Sequence, residues 1–197
     1  MKFFEQLEKI KKQYENDYII RKNETILLVP GTIPVCRHML FKPLSQKNID
    51  AFLKDQYKYK IPEEYIEFLK YSNGANLFYV KISEQKISFG FCLFVIYGLP
   101  LTPPFRRALD MEEPYDIRIE DLSRHNDIEN HWLKCGSYIK DCNFDIEYDI
   151  FIDTNTNRVY SCEKNHNKII ESWDTLDQCF CDVFSYFDSV KEEYILQ

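Results

Sequence analysis

The sequence predicts an α+β fold: a single domain with a mostly antiparallel sheet covered by helices on one side. Three observations predict it. Apolar residues recur at helical spacing near both ends of the chain and between residues 45 and 72. β-branched and aromatic runs cluster at 77–97 and again at 150–160. The order helix–strand–helix–helix–strands–helix–hairpin–helix does not alternate strand with helix, so a doubly wound parallel sheet is not expected.

The elements follow in chain order. Phe3, Phe4, Leu7, Ile10 and Tyr14 stand at helical spacing with Lys and Glu between them, an amphipathic helix over 2–15. Thr25–Val29 is a short strand, closed by Pro30-Gly31. Ser45 is an N-cap for a helix whose buried face is Ile49, Phe52, Leu53 and Tyr57. The stretch from Ile61 to Ala75 reads as a helix with both ends written in. Pro62 suits the first helical position, and Glu63 and Glu64 put negative charge where the helix dipole favours it. Tyr65, Ile66, Leu69 and Ser72 or Asn73 give one buried face, and Asn73-Gly74 tolerates the left-handed geometry that stops a helix. Two strands, 77–82 and 87–97, flank the polar Ser83–Lys86. A proline-rich, acidic connection follows from Gly98 to Asp116, then a short helix over 119–131. Ile150–Asp153 and Arg158–Tyr160 form a hairpin with Asn157 at positive φ. The last helix starts near Asp174 and buries Leu176, Phe180, Val183, Phe184 and Phe187.

Composition excludes several classes. Hydrophobic residues make up 45% of the 197, enough for a substantial core. Five glycines, none in close register, leave no phosphate-cradling loop. No apolar run reaches the roughly 18–20 residues of a membrane span. Glu5 and Glu8 stand where a signal peptide is apolar, so a cytoplasmic protein with no membrane role is expected. Seven irregularly spaced cysteines then read as reduced, mostly buried thiols. Aromatic residues, 16% of the chain, read as core first and binding surface second. Charge is uneven: residues 1–109 carry a balance of +6 and residues 110–197 one of −13. An acidic half repels phosphate, which disfavours nucleic-acid binding through it, so no direct nucleic-acid contact is expected, and it attracts a basic partner.

Nothing in the sequence carries chemistry on its own. The four histidines, His38, His125, His131 and His166, form no metal-binding pair. Cys162 and His166 are four apart but lack a second pair to complete a tetrahedral site, and Cys179 and Cys181 point about 200° apart on a helix. Asp141, Asp145, Glu147, Asp149 and Asp153 are spaced superficially like a calcium loop but lack its central glycine and terminal glutamate. Adjacent carboxylates such as Glu63/Glu64 and Glu112/Glu113 share one environment, whereas acid–base catalysis needs two. No catalytic residue, metal site or cofactor is expected.

The pattern Ile61-Pro62-x-x-Tyr65-x-x-Phe68-Leu69 followed by Asn73-Gly74 resembles the signature of the SUKH superfamily, which includes bacterial immunity proteins against polymorphic toxins and a fungal cell-wall synthesis regulator. Pro43–Ser45 with Ile49 resembles the start of the first family helix. Cys135-Gly136-Ser137 resembles a glycine-containing turn before the later strands, 150–160 the family hairpin, and Ser172-Trp173-Asp174 the approach to the closing helix. Asn157 stands where the family has a glycine, and a second glycine expected shortly after Gly136 is missing. Residues 1–42 have no family counterpart and read as an N-terminal extension, helix plus short strand, on a main domain of 43–197.

The resemblance implies a single α+β domain with helices packed around a twisted, mostly antiparallel sheet, and a non-enzymatic protein that binds a cognate toxin domain, often a nuclease. Nucleases that grip phosphate are basic, so the acidic half suits such a partner. Asp110, Glu112, Glu113 and Asp116 in the proline-rich loop, with Asp141, Asp145, Glu147 and Asp149, are the candidate contact residues. The competing expectation is a cytoplasmic regulator or scaffold like the fungal member.

Overall fold

A computed structural model describes residues 1–16, 18–20, 24–28, 37–55, 60–84, 87–99, 118–119, 131–140, 146–164 and 168–195. Among the described residues, four helices and ten strands follow in the order α1 (Lys2–Gln13), β1 (Tyr18–Ile20), β2 (Ile26–Leu28), β3 (Arg37–Leu40), α2 (Gln46–Asp55), α3 (Glu63–Tyr71), β4 (Ala75–Glu84), β5 (Ile87–Ile96), β6 (Arg118–Ile119), β7 (Trp132–Ile139), β8 (Glu147–Asp153), β9 (Val159–Glu163), β10 (Ile169–Trp173) and α4 (Leu176–Ile195). The fold is α+β. Nine strands lie in the order β1-β2-β3-β4-β5-β7-β8-β9-β10, every neighbouring pair antiparallel, and the two-residue β6 pairs with β7.

Helices α1, α3 and α4 pack on one another, and α4 lies on β4, β5 and β10. The core between helices and sheet is aromatic. The Phe3 ring lies 5.2 Å from Phe180, 5.9 Å from Phe184 and 6.2 Å from Phe68. Such tilted and edge-on pairs add about 0.5–1.5 kcal/mol each beyond the area they bury. Phe3 comes from the segment read as an extension, which shares this core and supplies three strands to the same sheet.

Helix ends are linked through carboxylates from neighbouring helices. Glu64 of α3 accepts the Leu176 and Asp177 amides at the start of α4, at 2.9 and 3.0 Å. Asp177 in turn accepts the Lys2 and Phe3 amides at the start of α1, both at 2.9 Å. Each carboxylate satisfies two orphan donors and sits where the helix dipole favours negative charge. Glu64 therefore serves the start of a different helix, not only its own first turn. Ser45 caps α2 as expected, accepting the Asn48 amide at 3.2 Å, and Thr175 caps α4 through the Gln178 amide at 3.1 Å.

Several sequence expectations are corrected. Pro62, with φ −58° and ψ 144°, is the N-cap of α3 rather than its first helical residue. The buried face of α3 is Tyr65, Phe68 and Leu69, and Ile66 is only half-buried. The helix stops because Ser72 turns extended (φ −155°), and positive φ falls on Gly74 (94°), not on Asn73. Cys135-Gly136-Ser137 is not a turn but the middle of β7. The register shifts there, and a Cβ on Gly136 would stand 2.6 Å from the Val95 carbonyl oxygen of β5. Strands β1, β3, β7 and β10 have no counterpart in the sequence reading. The short helix expected over 119–131 falls mostly outside the described residues, and Arg118–Ile119 is the paired β6. The hairpin stands as read, with Asn157 at φ 62°.

Candidate partner-binding surface

The signature residues are structural ties. Tyr65 is fully buried, and its hydroxyl donates to the Tyr97 carbonyl at 2.5 Å with the Cys135 carbonyl at 3.3 Å. Burial pushes the phenol well above its ordinary 10.0, which keeps it a donor. The Asn73 amide brackets Leu99, donating to its carbonyl at 3.0 Å and accepting its N–H at 2.6 Å. A Cβ on Gly98 would stand 2.3 Å from the Asn73 carbonyl oxygen, so only glycine permits this approach. The Ser72 hydroxyl donates to the Gly74 carbonyl at 2.6 Å with the Phe41 carbonyl at 3.0 Å, and Ile61, Phe68 and Leu69 are buried. Both ends of α3 are thereby fastened, to the chain after β3, to the chain after β5 and to the middle of β7.

The opposite face of the sheet holds a second cluster. Strand alternation places Leu133, Ile150, Ile152 and Val159 in the helix-covered core, and Trp132, Phe151 and Cys162 away from it. The rings of Trp132 and Tyr160 stack there, 4.4 Å apart at 5°. Lys134 and Asp149 share this face and form an ion pair at 2.7 Å, with side chains 2% and 6% exposed. Two charges so deep are tolerable only together.

This placement corrects one candidate contact. Asp149 is buried against Lys134 and presents no charge to a partner, because the period-2 alternation of β8 turns it into the second cluster. Glu147, one strand-end away, is half-buried and paired with Lys164 at 2.5 Å. Asp110, Glu112, Glu113, Asp116, Asp141 and Asp145 lie outside the described residues. Asp153 closes the hairpin instead of a calcium loop: it accepts the Asn155 amide at 2.8 Å and the Thr156 hydroxyl at 2.7 Å. Burial pushes its pKa up, but these bonds outweigh burial and hold it below its ordinary 3.8.

Of the described thiols, Cys135, Cys162 and Cys179 are buried and Cys92 and Cys181 half-buried. Burial pushes Cys135 and Cys179 well above the usual range, burial with nearby Asp149 pushes Cys162 up to about 12, and burial with Asp177 and Asp182 pushes Cys181 up to about 11. Thiols held protonated near neutral pH are poor nucleophiles and poor metal ligands. Among the described residues no group of three or more His, Cys, Asp or Glu gathers as a metal site, and no helix is long and apolar enough to cross a membrane.

Exposed carboxylates occur on several elements, among them Glu5 and Glu8 of α1, Asp50 of α2 and Glu63 and Glu67 of α3, and β10 with α4 carries a further acidic excess. Residues 169–195 hold seven Asp/Glu and one Lys, a balance of −6 in a chain of −7. The Asp174 side chain is 79% exposed, and Asp182 and Asp188 are exposed along α4. Between β10 and α4 runs a groove of about 430 Å³ lined by Lys140, Glu171, Ser172, Trp173, Asp182 and Val183. Lys140 bonds Glu171 at 2.6 Å, the Tyr138 hydroxyl donates to Glu171 at 3.1 Å, and the Tyr186 hydroxyl donates to the Lys140 carbonyl at 3.0 Å. The Trp173 indole donates to Asp182 at 3.0 Å, which fixes the ring across the groove.

No protein-family model, curated protein or solved structure matches the chain.

The arrangement offers recognition: a fixed indole, an exposed carboxylate and hydrogen-bonded walls. Sequence reasoning placed the acidic surface in the loops because acidic runs stand out there. The carboxylates of 169–195 are dispersed singly along a strand and a helix, and each one alone reads as an ordinary solvated position. Counting charge by structural unit brings out their combined excess.

Proposed function

We propose that this chain is a non-enzymatic immunity protein that binds and neutralises a cognate toxin domain, a basic nuclease, through an acidic surface. The observation that carries the reading is the concentration of charge on the β10–α4 unit, −6 over 27 residues. A nuclease grips phosphate with lysine and arginine, and an inhibitor that presents carboxylates competes for the same groups. Long-range attraction between the two fields speeds encounter, and this steering falls with ionic strength. The likeness of Ile61–Gly74 to the SUKH signature supports the same class of partner. Within this reading the signature builds the scaffold, since its polar groups are engaged inside the fold.

The test is a pull-down of the product of the neighbouring gene, followed by affinity measured against salt and by survival of cells expressing that product. Tight, salt-sensitive binding that abolishes toxicity is expected. Charge reversal at Asp174, Asp182 and Asp188 together should weaken it. Full protection by that triple variant would rule out the acidic-surface mechanism, and absence of any neutralised toxin would rule out immunity.

A further inference from the structure

We infer that the outer edge of β10, with the groove between it and α4, is a docking strip for an extended basic segment of the partner, which adds to the sheet as one more strand. The inference deepens the function proposed above and rests on it for the partner's charge. β10 ends the sheet: among the described residues its only strand neighbour is β9. A terminal strand presents backbone donors and acceptors that another chain can pair with, and proteins commonly blunt such edges with lysine or proline. The sequence of β10, Ile169-Ile170-Glu171-Ser172-Trp173, contains neither, and Ile169 and Ile170 are 42% and 41% exposed.

The two sides of this edge differ in chemistry. Trp173 and Glu171 pair with Val159 and Ser161 and face the groove, whereas Ile169 pairs with Cys162 and faces the other side. Lys140 offsets Glu171, which leaves Asp182 as the groove carboxylate with no ion-pair partner among the described residues. On an added strand, alternate side chains point to opposite faces. Those turned into the groove meet the Trp173 ring and Asp182, a setting for arginine or lysine by cation–π contact and ion pairing. Those turned the other way meet Ile169, a setting for apolar residues. The fitting segment therefore alternates basic and apolar residues, and main-chain bonds hold it in the manner of strand addition. The sheet's other end, β1, also exposes isoleucines, Ile19 at 54% and Ile20 at 59%, but it lies in the half of the chain with a +6 balance, which disfavours a basic segment.

The experiment uses the full chain, an amidated decapeptide of alternating arginine and valine, its glutamate–valine counterpart, and an arginine–valine version N-methylated along one edge. Amide and indole resonances are followed by heteronuclear NMR. Saturable shifts of the 169–173 amides and of the Trp173 indole, with the arginine peptide only, are expected. N-methylation of the pairing edge should abolish them, and Asp182→Asn with Trp173→Phe should weaken binding about tenfold. Shifts centred on β1, unchanged binding of the N-methylated peptide, unchanged affinity of the double variant, or a concentration-dependent dimer through β10 would each overturn the inference. The double variant also separates the two proposals. If it stays folded and still neutralises the toxin while the triple charge reversal does not, the strip is refuted and the immunity reading stands. If no toxin is neutralised yet the peptide docks on β10, the strip stands and the immunity reading falls.

Discussion

Replacing Asn73 with alanine removes two hydrogen bonds at once. Its amide is the partner of both backbone groups of Leu99, at 2.6 and 3.0 Å, and both residues are buried, at 2% and 0% exposure. A buried donor or acceptor left without a partner costs about 1–3 kcal/mol, so the two together cost about 2–6 kcal/mol. For a chain of this size, 1 kcal/mol moves the melting temperature by about 2–4 °C, so a fall of about 4–24 °C is expected. Asn73→Asp keeps the acceptor for the Leu99 N–H but turns a second oxygen toward the Leu99 carbonyl, so it should be at least as damaging. Gly98→Ala attacks the same tie from the other side, because its Cβ would meet the Asn73 carbonyl oxygen at 2.3 Å. Damage to one shared contact is not additive, so the Asn73→Ala, Gly98→Ala double variant should lose less than the sum of the singles. Urea unfolding followed by tryptophan fluorescence, with calorimetry alongside, measures all four proteins. A loss for Asn73→Ala within the ~0.5 kcal/mol of an ordinary surface change would refute the structural role of the motif. So would intact stability with lost partner binding.

Glu64→Ala should cost about 1–2 kcal/mol, since the first two amides of α4 lose their acceptor, and hydrogen exchange at Leu176 and Asp177 should accelerate; unchanged exchange there would show that the cap contributes nothing. Asp149→Asn leaves the Lys134 ammonium buried beside a neutral group and should destabilise by about 3–5 kcal/mol, whereas Lys134→Met with Asp149→Leu should recover most of that in the same urea assay. Equal stability of the single and double variants would count against a buried pair. The carboxyl of Asp153 is held below its ordinary 3.8, so its contribution is present above that value and lost as pH falls through the lower folded value. The stability gap between the native chain and Asp153→Asn should thus be constant near neutral pH and narrow in acid, and a gap that is the same at about pH 6 and pH 3 would contradict the assignment.

The elements the sequence revealed are those whose signal is local. The apolar stripe of α4, from Leu176 to Phe187, the Ser45 cap and the left-handed Asn157 all depend on neighbours within a few positions, and each stands where the pattern put it. β1 and β3 are three and four residues long, and β7 carries a glycine and a lysine in its middle, so none reads as a strand until its partners are in place. Phe78 is a further case. It has φ 55° inside β4, where the pairing with β3 shifts register, and its ring packs 5.1 Å from Phe184. A bulky residue in that region is held by its surroundings and not by its own preference.

The α+β class, the uneven charge and the special character of Ile61–Gly74 were set by the sequence alone, because composition and short-range periodicity carry them. Tertiary structure decided what those residues do. Asp149 became half of a buried ion pair, Glu64 became the cap of a distant helix, and Tyr65 and Asn73 became fasteners between α3 and the strand ends. It also brought Glu171 of β10 and Asp182 of α4 together beside Trp173. The physical reason is the same throughout: a side chain's charge and donors are written in the sequence, but their partners lie dozens of residues away, and only the pairing of strands and the packing of helices brings them within bonding distance.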